Sequence, residues 1–383
     1  MFEDFISFVR DLYGTNDHIP LHEPRFIGNE KNYLLDTLDT TFVSSVGEYV
    51  DRFEQKISEY TGVKHAIATV NGTAALHISL KLAGVVEGVE VITQSLTFVA
   101  VSNAIHYCGG YPIYVDVDKS TMGLSPESLK NFLQETCEVR DDGYCWNKLT
   151  GRKIIACVVM HTFGFPSRIK DIKNCCDNFN LKLIEDSAES LGSFYNEKHT
   201  GWYGQVSSLS FNGNKIITTG GGGMILTNDE NIAKKAKHIT TTAKKEHKWN
   251  FDHDLVGFNY RLPNLNASLG LAQLECIEKF LDSKLKVAHA YIQWGKDNDT
   301  DFFEKFPDTK PNYWLNIIIT KDKSERDLML EETNKNDIST RPVWIPMHQL
   351  EINKRNAKSE MVNTEWLADR IVCVPSSSLK NEN

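Results

Sequence analysis

Lys215 stands in SFNGNKIITTGGGG, five residues after Ser210 and just ahead of four consecutive glycines, 220 to 223. Asp186 closes the apolar stretch LKLIED, and Glu189 follows within about one turn of chain. An amine that can form a Schiff base and a carboxylate that can hold a proton on a ring nitrogen are thus joined by bare backbone that an anion can approach closely. Taken singly, each piece has an ordinary role: Asp186 as a helix N-cap, Lys215 as a solvated loop lysine, the glycines as a tight turn. The glycine run lacks the GxxxxGK[ST] order of a nucleoside-triphosphate loop.

A second anion site is readable upstream. Asn71-Gly72-Thr73-Ala74-Ala75 joins an apolar strand to a helical run, so free N–H groups at a helix start face the sheet edge beside small side chains. Phe98 follows another strand and turn at that same edge, where an aromatic could stack on a flat ring or fill core. Together these parts suit pyridoxal phosphate: a phosphate at a helix N-terminus, a ring under Phe98, Asp186 at the ring nitrogen and Lys215 for the covalent link. Asp186 would keep the ring able to accept an electron pair, and Lys215 would move the proton once displaced by an incoming amine.

These residues have to be positioned by regular elements. An opening helix and a Pro-, His- and Asn-rich segment (15 to 30) precede a helix at 31 to 38, and a further helix ends near Tyr60. Strand 66–70 with helix 73–83, strand 90–93 with helix 99–107, strand 111–115 with helix 126–135 and strand 154–160 with helix 168–176 then alternate, and strand 181–185 delivers Asp186. Such alternation predicts an α/β fold with a mainly parallel sheet whose ligands sit at the carboxyl ends of strands. Residues 137 to 151 read as a hairpin-like surface excursion. A long helical stretch, 274 to 294, leads into strand 313–320 and helix 325–335, giving a smaller second lobe. The expected division is an N-terminal arm (1–30), a large domain (31–273) and a small C-terminal α/β domain (274–383).

Composition narrows the function further. With 42 Lys plus Arg against 51 Asp plus Glu, the net charge of -9 disfavours a nucleic-acid partner. The densest basic stretch, Lys235 to Lys248, mixes in His, Thr and Glu and reads as a solvated face or loop. The start, MFEDFISFVRDLYG, is broken by charges and reads as a short amphipathic helix instead of a signal peptide. Apolar runs such as 154–160 are strand-sized, so no membrane span and a cytoplasmic location are expected. The eight cysteines show neither CxxC pairs nor zinc spacing, so reduced thiols, no disulfide and no metal site are expected.

Six segments carry a family resemblance: NGTAALHISL (71–80), LTFVAVSNAI (96–105), PIYVDVD (112–118), EDSAESLGS (185–193), SFNGNKIITTGGGGMI (210–225) and GFNYRLPNLNASLGLAQL (257–274). In this order the chain, from about Ile19 to Ser377, resembles the DegT/DnrJ/EryC1/StrS family of sugar aminotransferases. The resemblance implies an aspartate-aminotransferase-like fold (fold type I) with a mainly parallel seven-stranded sheet. Carried over by position, it makes Lys215 the cofactor-bearing lysine, Asp186 the partner of the pyridine nitrogen, Phe98 the stacking ring, and Gly72, Thr73 and Ser210 phosphate ligands. Asn259 and Arg261 match positions that reach a neighbouring subunit's site, which implies a homodimer with shared sites. Glu189 stands where many relatives carry Gln or His.

TFVSSVGEYVDRFE (41–54), preceded by HEPRFIGNE (22–30), resembles the LegC-type branch. That branch implies transfer of the amine of L-glutamate to C4 of a UDP- or GDP-linked 4-keto-6-deoxy-N-acetylhexosamine, UDP being the first expectation. The product would be a 4-amino-4,6-dideoxy sugar nucleotide for surface glycans such as lipopolysaccharide, of the bacillosamine or legionaminic-acid type. His161 after a strand and His348 in PVWIPMHQL are candidates to touch substrate, a satisfied core histidine being the alternative for His161. Two rivals remain: a sugar dehydratase on the same fold, whose relatives commonly carry His at the position of Lys215, and a non-catalytic family member, which would leave Lys215 and Asp186 unexplained.

Overall fold

The computed structural model describes residues 2–380. Its large sheet contains β1 (His65–Thr69), β2 (Glu90–Gln94), β3 (Tyr111–Val115), β4 (Lys153–Met160), β5 (Lys182–Asp186), β6 (Val206–Ser210) and β7 (Gly223–Thr227). They lie side by side in the order β1-β7-β6-β5-β4-β2-β3. Every pairing from β6 to β3 is parallel, whereas β7 runs antiparallel to both β6 and β1. The expected mainly parallel seven-stranded α/β sheet is present. The 137–151 excursion is a hairpin whose second strand, Cys145–Asn147, pairs with the start of β4.

Side-chain alternation splits the sheet between two cores. Ile67, Val158, Ile184 and Ile225 pack on one face, and their neighbours Ala68, Val159, Leu183 and Met224 pack on the other. Two buried faces are what a parallel sheet covered by helices requires, and they explain why the strands read as continuous apolar runs.

The antiparallel return of β7 explains where Lys215 must sit. Ser210, the last residue of β6, pairs with Gly223, the first of β7, so residues 211 to 222 all hang from the carboxyl end of β6. β1 runs parallel to β6 across the sheet, which brings its exit into Asn71 and Gly72 to the same edge.

The second lobe is a small antiparallel sheet of β8 (Asn316–Ile319), β9 (Arg341–Pro342) and β10 (Ile371–Val374), with helix Lys323–Lys335 behind it. The N-terminal helix Glu3–Tyr13 packs here: Phe5 and Val9 share one apolar cluster with Tyr291, Ile318, Met329 and Val372. Two elements differ from their expected form. The long helical stretch divides at Cys276 into helices Asn264–Glu275 and Ile277–Asp297, and the strand expected from 313 begins only at Asn316. Tyr313 has φ 48°, which takes residues 313 to 315 out of the sheet plane. Among the described residues no helix is long and apolar enough to cross a membrane, no His, Cys, Asp and Glu cluster could hold a metal, and all eight cysteines are free.

Candidate active site

Beyond β6 the chain folds into a tight loop. Phe211 N–H donates to Gly222, Thr219 N–H to Phe211 and Lys215 N–H to Asn212, so the loop is fixed by its own backbone. Lys215 Nζ lies 3.1 Å from Glu189 Oε1 and 4.0 Å from the centre of the Trp314 ring. Glu189 is buried, and its other oxygen accepts the N–H of Phe163 at 2.9 Å. Phe163 adopts φ 56°, a conformation costly for an aromatic residue, and this aims its N–H at the carboxylate.

Asp186 ends β5 beside this lysine, and both line one pocket. Its Oδ1 accepts the N–H of Ala188 at 3.1 Å, and the side chain is otherwise enclosed. Burial pushes its carboxyl up to about 6; Ala188 N–H opposes the rise, Glu189 adds to it, and Lys215 and His161 oppose it. A buried carboxylate held at such cost suits a cationic partner supplied by a ligand.

Across the pocket, Asn71 caps helix Gly72–Leu82 by accepting from Ala74 N–H at 2.7 Å. That leaves the first-turn N–H groups of Gly72 and Thr73 available to an anion. Gly72 cannot carry a side chain here without movement, because an added Cβ would lie 2.8 Å from the Cβ of Ser210. The absence of that carbon opens a cradle lined by Gly72, Thr73 and Ser210. Phe98, 47% exposed, precedes helix Val99–Tyr107 and lines the same pocket, its ring 6.0 Å from that of Trp344.

Residues 25–383 match the model of the DegT/DnrJ/EryC1/StrS aminotransferase family. GDP-perosamine synthase of Escherichia coli O157:H7 is 36% identical over 370 residues, covering 95% of this chain and 95% of that protein. EpsN of Bacillus subtilis, described as a putative pyridoxal phosphate-dependent aminotransferase, is 32% identical over 370 residues, covering 95% and 92%. Among solved structures, Helicobacter pylori PseC, an aminotransferase of pseudoaminic acid biosynthesis, shares the fold with a TM-score of 0.83 at 22% identity over 94% of both chains. The chain belongs to the DegT/DnrJ/EryC1/StrS aminotransferase family.

Pyridoxal phosphate is the cofactor of this aminotransferase, and the pocket fits it: an anion cradle at one end, a buried carboxylate in need of a cation, an amine, and an exposed ring face. Gly72, Thr73, Phe98, Asp186, Glu189, Ser210 and Lys215 are all brought together in it. His161 and His348 are not. His161 accepts from Ser167 N–H through Nδ1 and turns Nε2 to Glu185 at 2.9 Å, which fills both ring nitrogens inside the core. His348 ties the exit of β2 to the second lobe, with Ser95 Oγ at 2.7 Å on Nδ1 and Glu365 at 3.3 Å on Nε2. Neither ring has a nitrogen left for substrate.

Asn259 and Arg261 lie outside the pocket of their own chain. Asn259 is exposed, whereas Arg261 is buried with Nη2 3.1 Å from Glu54, and its Nε and Nη1 find no acceptor among the described residues. Asn259 therefore projects from the surface, while the guanidinium is held inward. Among the pocket residues that sequence reasoning missed are Trp314, Arg341 and Trp344, all contributed by the second lobe. No local pattern marks them.

Proposed function

We propose that this aminotransferase moves the amine of L-glutamate to C4 of a UDP-linked 4-keto-6-deoxy-N-acetylhexosamine, giving a 4-amino-4,6-dideoxy sugar nucleotide. The observation that carries this reading is the convergence of Lys215, Asp186 and the Gly72–Thr73–Ser210 cradle on one pocket. Bound there, pyridoxal phosphate supplies an electron sink and a carrier for the amine. The cradle holds its phosphate, Phe98 covers its ring, and Asp186 holds the proton at its ring nitrogen. Lys215 Nζ takes the proton from the donor's α-carbon and returns one to the acceptor carbon. Glu189, fixed by Phe163 N–H, orients that amine between turnovers. Arg341 brings a guanidinium to the pocket wall, suited to the carboxylates of glutamate or the phosphates of a sugar nucleotide.

The relatives named as GDP-perosamine synthases support a nucleotide-linked sugar as acceptor, and the likeness of residues 22–30 and 41–54 to the LegC-type branch, which implies a UDP- or GDP-linked substrate, supports the N-acetylated hexosamine. The test is product mass spectrometry with glutamate and a panel of UDP- and GDP-linked keto sugars. The UDP-linked N-acetyl compound is expected to gain an amine and to be preferred over the others. Preference for a GDP sugar would overturn the substrate assignment, and loss of a hydroxyl without amination would overturn the reaction.

Gly72→Ala tests the cradle. Its new Cβ must push Ser210 or the helix start away, so affinity for pyridoxal phosphate should fall at least about tenfold, equivalent to about 1.4 kcal/mol. Titration of cofactor-free protein by absorbance reads this directly. Unchanged affinity would place the phosphate elsewhere.

The working unit under this reading is a homodimer in which Asn259 of each chain reaches the other's phosphate, as a twofold interface allows. Lys215→Ala subunits mixed with Asn259→Ala subunits should then regain about a quarter of wild-type activity, because half the dimers are mixed and each rebuilds one of two sites. If subunit exchange is demonstrated and activity stays at the level of the separate variants, the sites are not shared.

A further inference from the structure

Lys284 lies within helix Ile277–Asp297 and is 1% exposed, yet its ammonium has no carboxylate partner among the described residues. Its Nζ donates instead to two main-chain carbonyls, those of Trp314, at 3.2 Å, and Ser376. Burial pulls its pKa down to about 7, a sign of how costly this placement is.

The sheet register shows what that cation does. Strands β8 and β10 pair antiparallel as far as Asn316 opposite Val374; continued, that register would set Leu315 opposite Pro375 and then Trp314 opposite Ser376, two positions outward. The ladder stops at Asn316 and Val374. Lys284 supplies donors to both carbonyls in place of a further ladder bond, and residue 314 is free to leave the sheet toward the pocket.

Trp314 is fixed at its other polar groups as well. Its main-chain N–H donates to Asn312 Oδ1 at 2.8 Å, and its indole N–H donates at 2.6 Å to the carbonyl of Asn214, the residue before Lys215. The ring held this way is the surface against which Lys215 Nζ rests at 4.0 Å.

We propose that Lys284 is a positioning residue that acts through Trp314, holding the indole so that its face receives the Lys215 ammonium whenever that amine is not bound to cofactor. The inference rests on the reading of Lys215 as the cofactor-bearing amine. It assigns a buried, non-pocket lysine to the upkeep of the catalytic one.

A double-mutant cycle with Lys284→Met and Trp314→Leu tests it, with two readouts. One is kcat and KM for amine transfer. The other is the rate at which trinitrobenzenesulfonate labels Lys215 in cofactor-free protein, located by peptide mass spectrometry. Trp314→Leu should lower kcat about tenfold and change the labelling rate several-fold, and Lys284→Met should reproduce most of both effects with KM little altered. In the Trp314→Leu background, Lys284→Met should add nothing to either readout. Multiplying effects, or a Lys284→Met enzyme with normal kcat and labelling whatever its melting temperature, would overturn the proposal. Should Lys284→Met fail to fold, Lys284→Gln keeps a donor for one carbonyl and is judged by the same cycle. A wild-type protein that shows no lysine-bound cofactor would instead refute the reading of Lys215, while the labelling cycle would still decide the coupling of Lys284 to Trp314.

Discussion

Lys215→Ala should abolish amine transfer, by on the order of 10⁴-fold or more, because in the proposed mechanism one amine both carries the cofactor and moves the proton. The fold should survive. The Lys215 side chain is 14% exposed, and its loop is held by backbone hydrogen bonds that do not involve Nζ. Its removal leaves Glu189 with the N–H of Phe163 as partner. A buried carboxylate losing a cation costs stability, so a lowering of the melting temperature by a few degrees is compatible with complete loss of turnover. The visible absorption of lysine-bound cofactor should vanish as well. Lys215→Arg, which keeps the charge but is not an equivalent nucleophile, should be as inactive as the alanine variant. Substantial activity in either variant would remove Lys215 from the reaction.

Those parts of the site that depend on short stretches of chain were legible in the sequence. Asp186 closes an apolar strand, Asn71 and Gly72 stand between a strand and a helix, and Lys215 sits between a strand and a glycine run, so each announces its place at a sheet edge. What the second lobe contributes was not legible. Trp314 belongs to the apolar run YWLNIII, which reads as strand, and it is turned toward the pocket by φ 48° at Tyr313 and by partners distant in sequence or invisible to local pattern, the side chains of Asn312 and Lys284 and the carbonyl of Asn214. The division at Cys276 falls within residues 271–294, a stretch free of Gly and Pro, so neither residue marks it. Long-range partners were equally hidden. His161 is claimed by Glu185 from the adjacent strand, and Arg261 by Glu54 some two hundred positions earlier. A histidine or arginine that looks available in a sequence is free only if no distant carboxylate reaches it first.

Asp186→Asn should remove most activity and at the same time stabilise the cofactor-free protein above neutral pH. The two effects have one cause. Asp186 is 4% exposed, and burial raises its carboxyl from 3.8 to about 6. Because the folded pKa lies above the unfolded value, the folded state binds the extra proton, and stability falls as pH rises from about 4 through 6. A rise of that size corresponds to about 3 kcal/mol, fully felt above pH 7, which the neutral amide does not incur. The amide can still accept the N–H of Ala188. Melting curves of cofactor-free wild type and Asp186→Asn should therefore converge toward pH 4 and separate toward pH 8, with the variant melting higher. With pyridoxal phosphate bound the order should narrow or reverse, since a protonated ring nitrogen offsets the buried carboxylate of the wild type but has no charge to meet in the variant. Turnover should drop by on the order of 10²-fold or more, because an amide does not hold that proton in place. Parallel melting curves at all pH values would show that Asp186 is solvated or paired in solution. An unchanged turnover would reduce it to a cap at the end of β5.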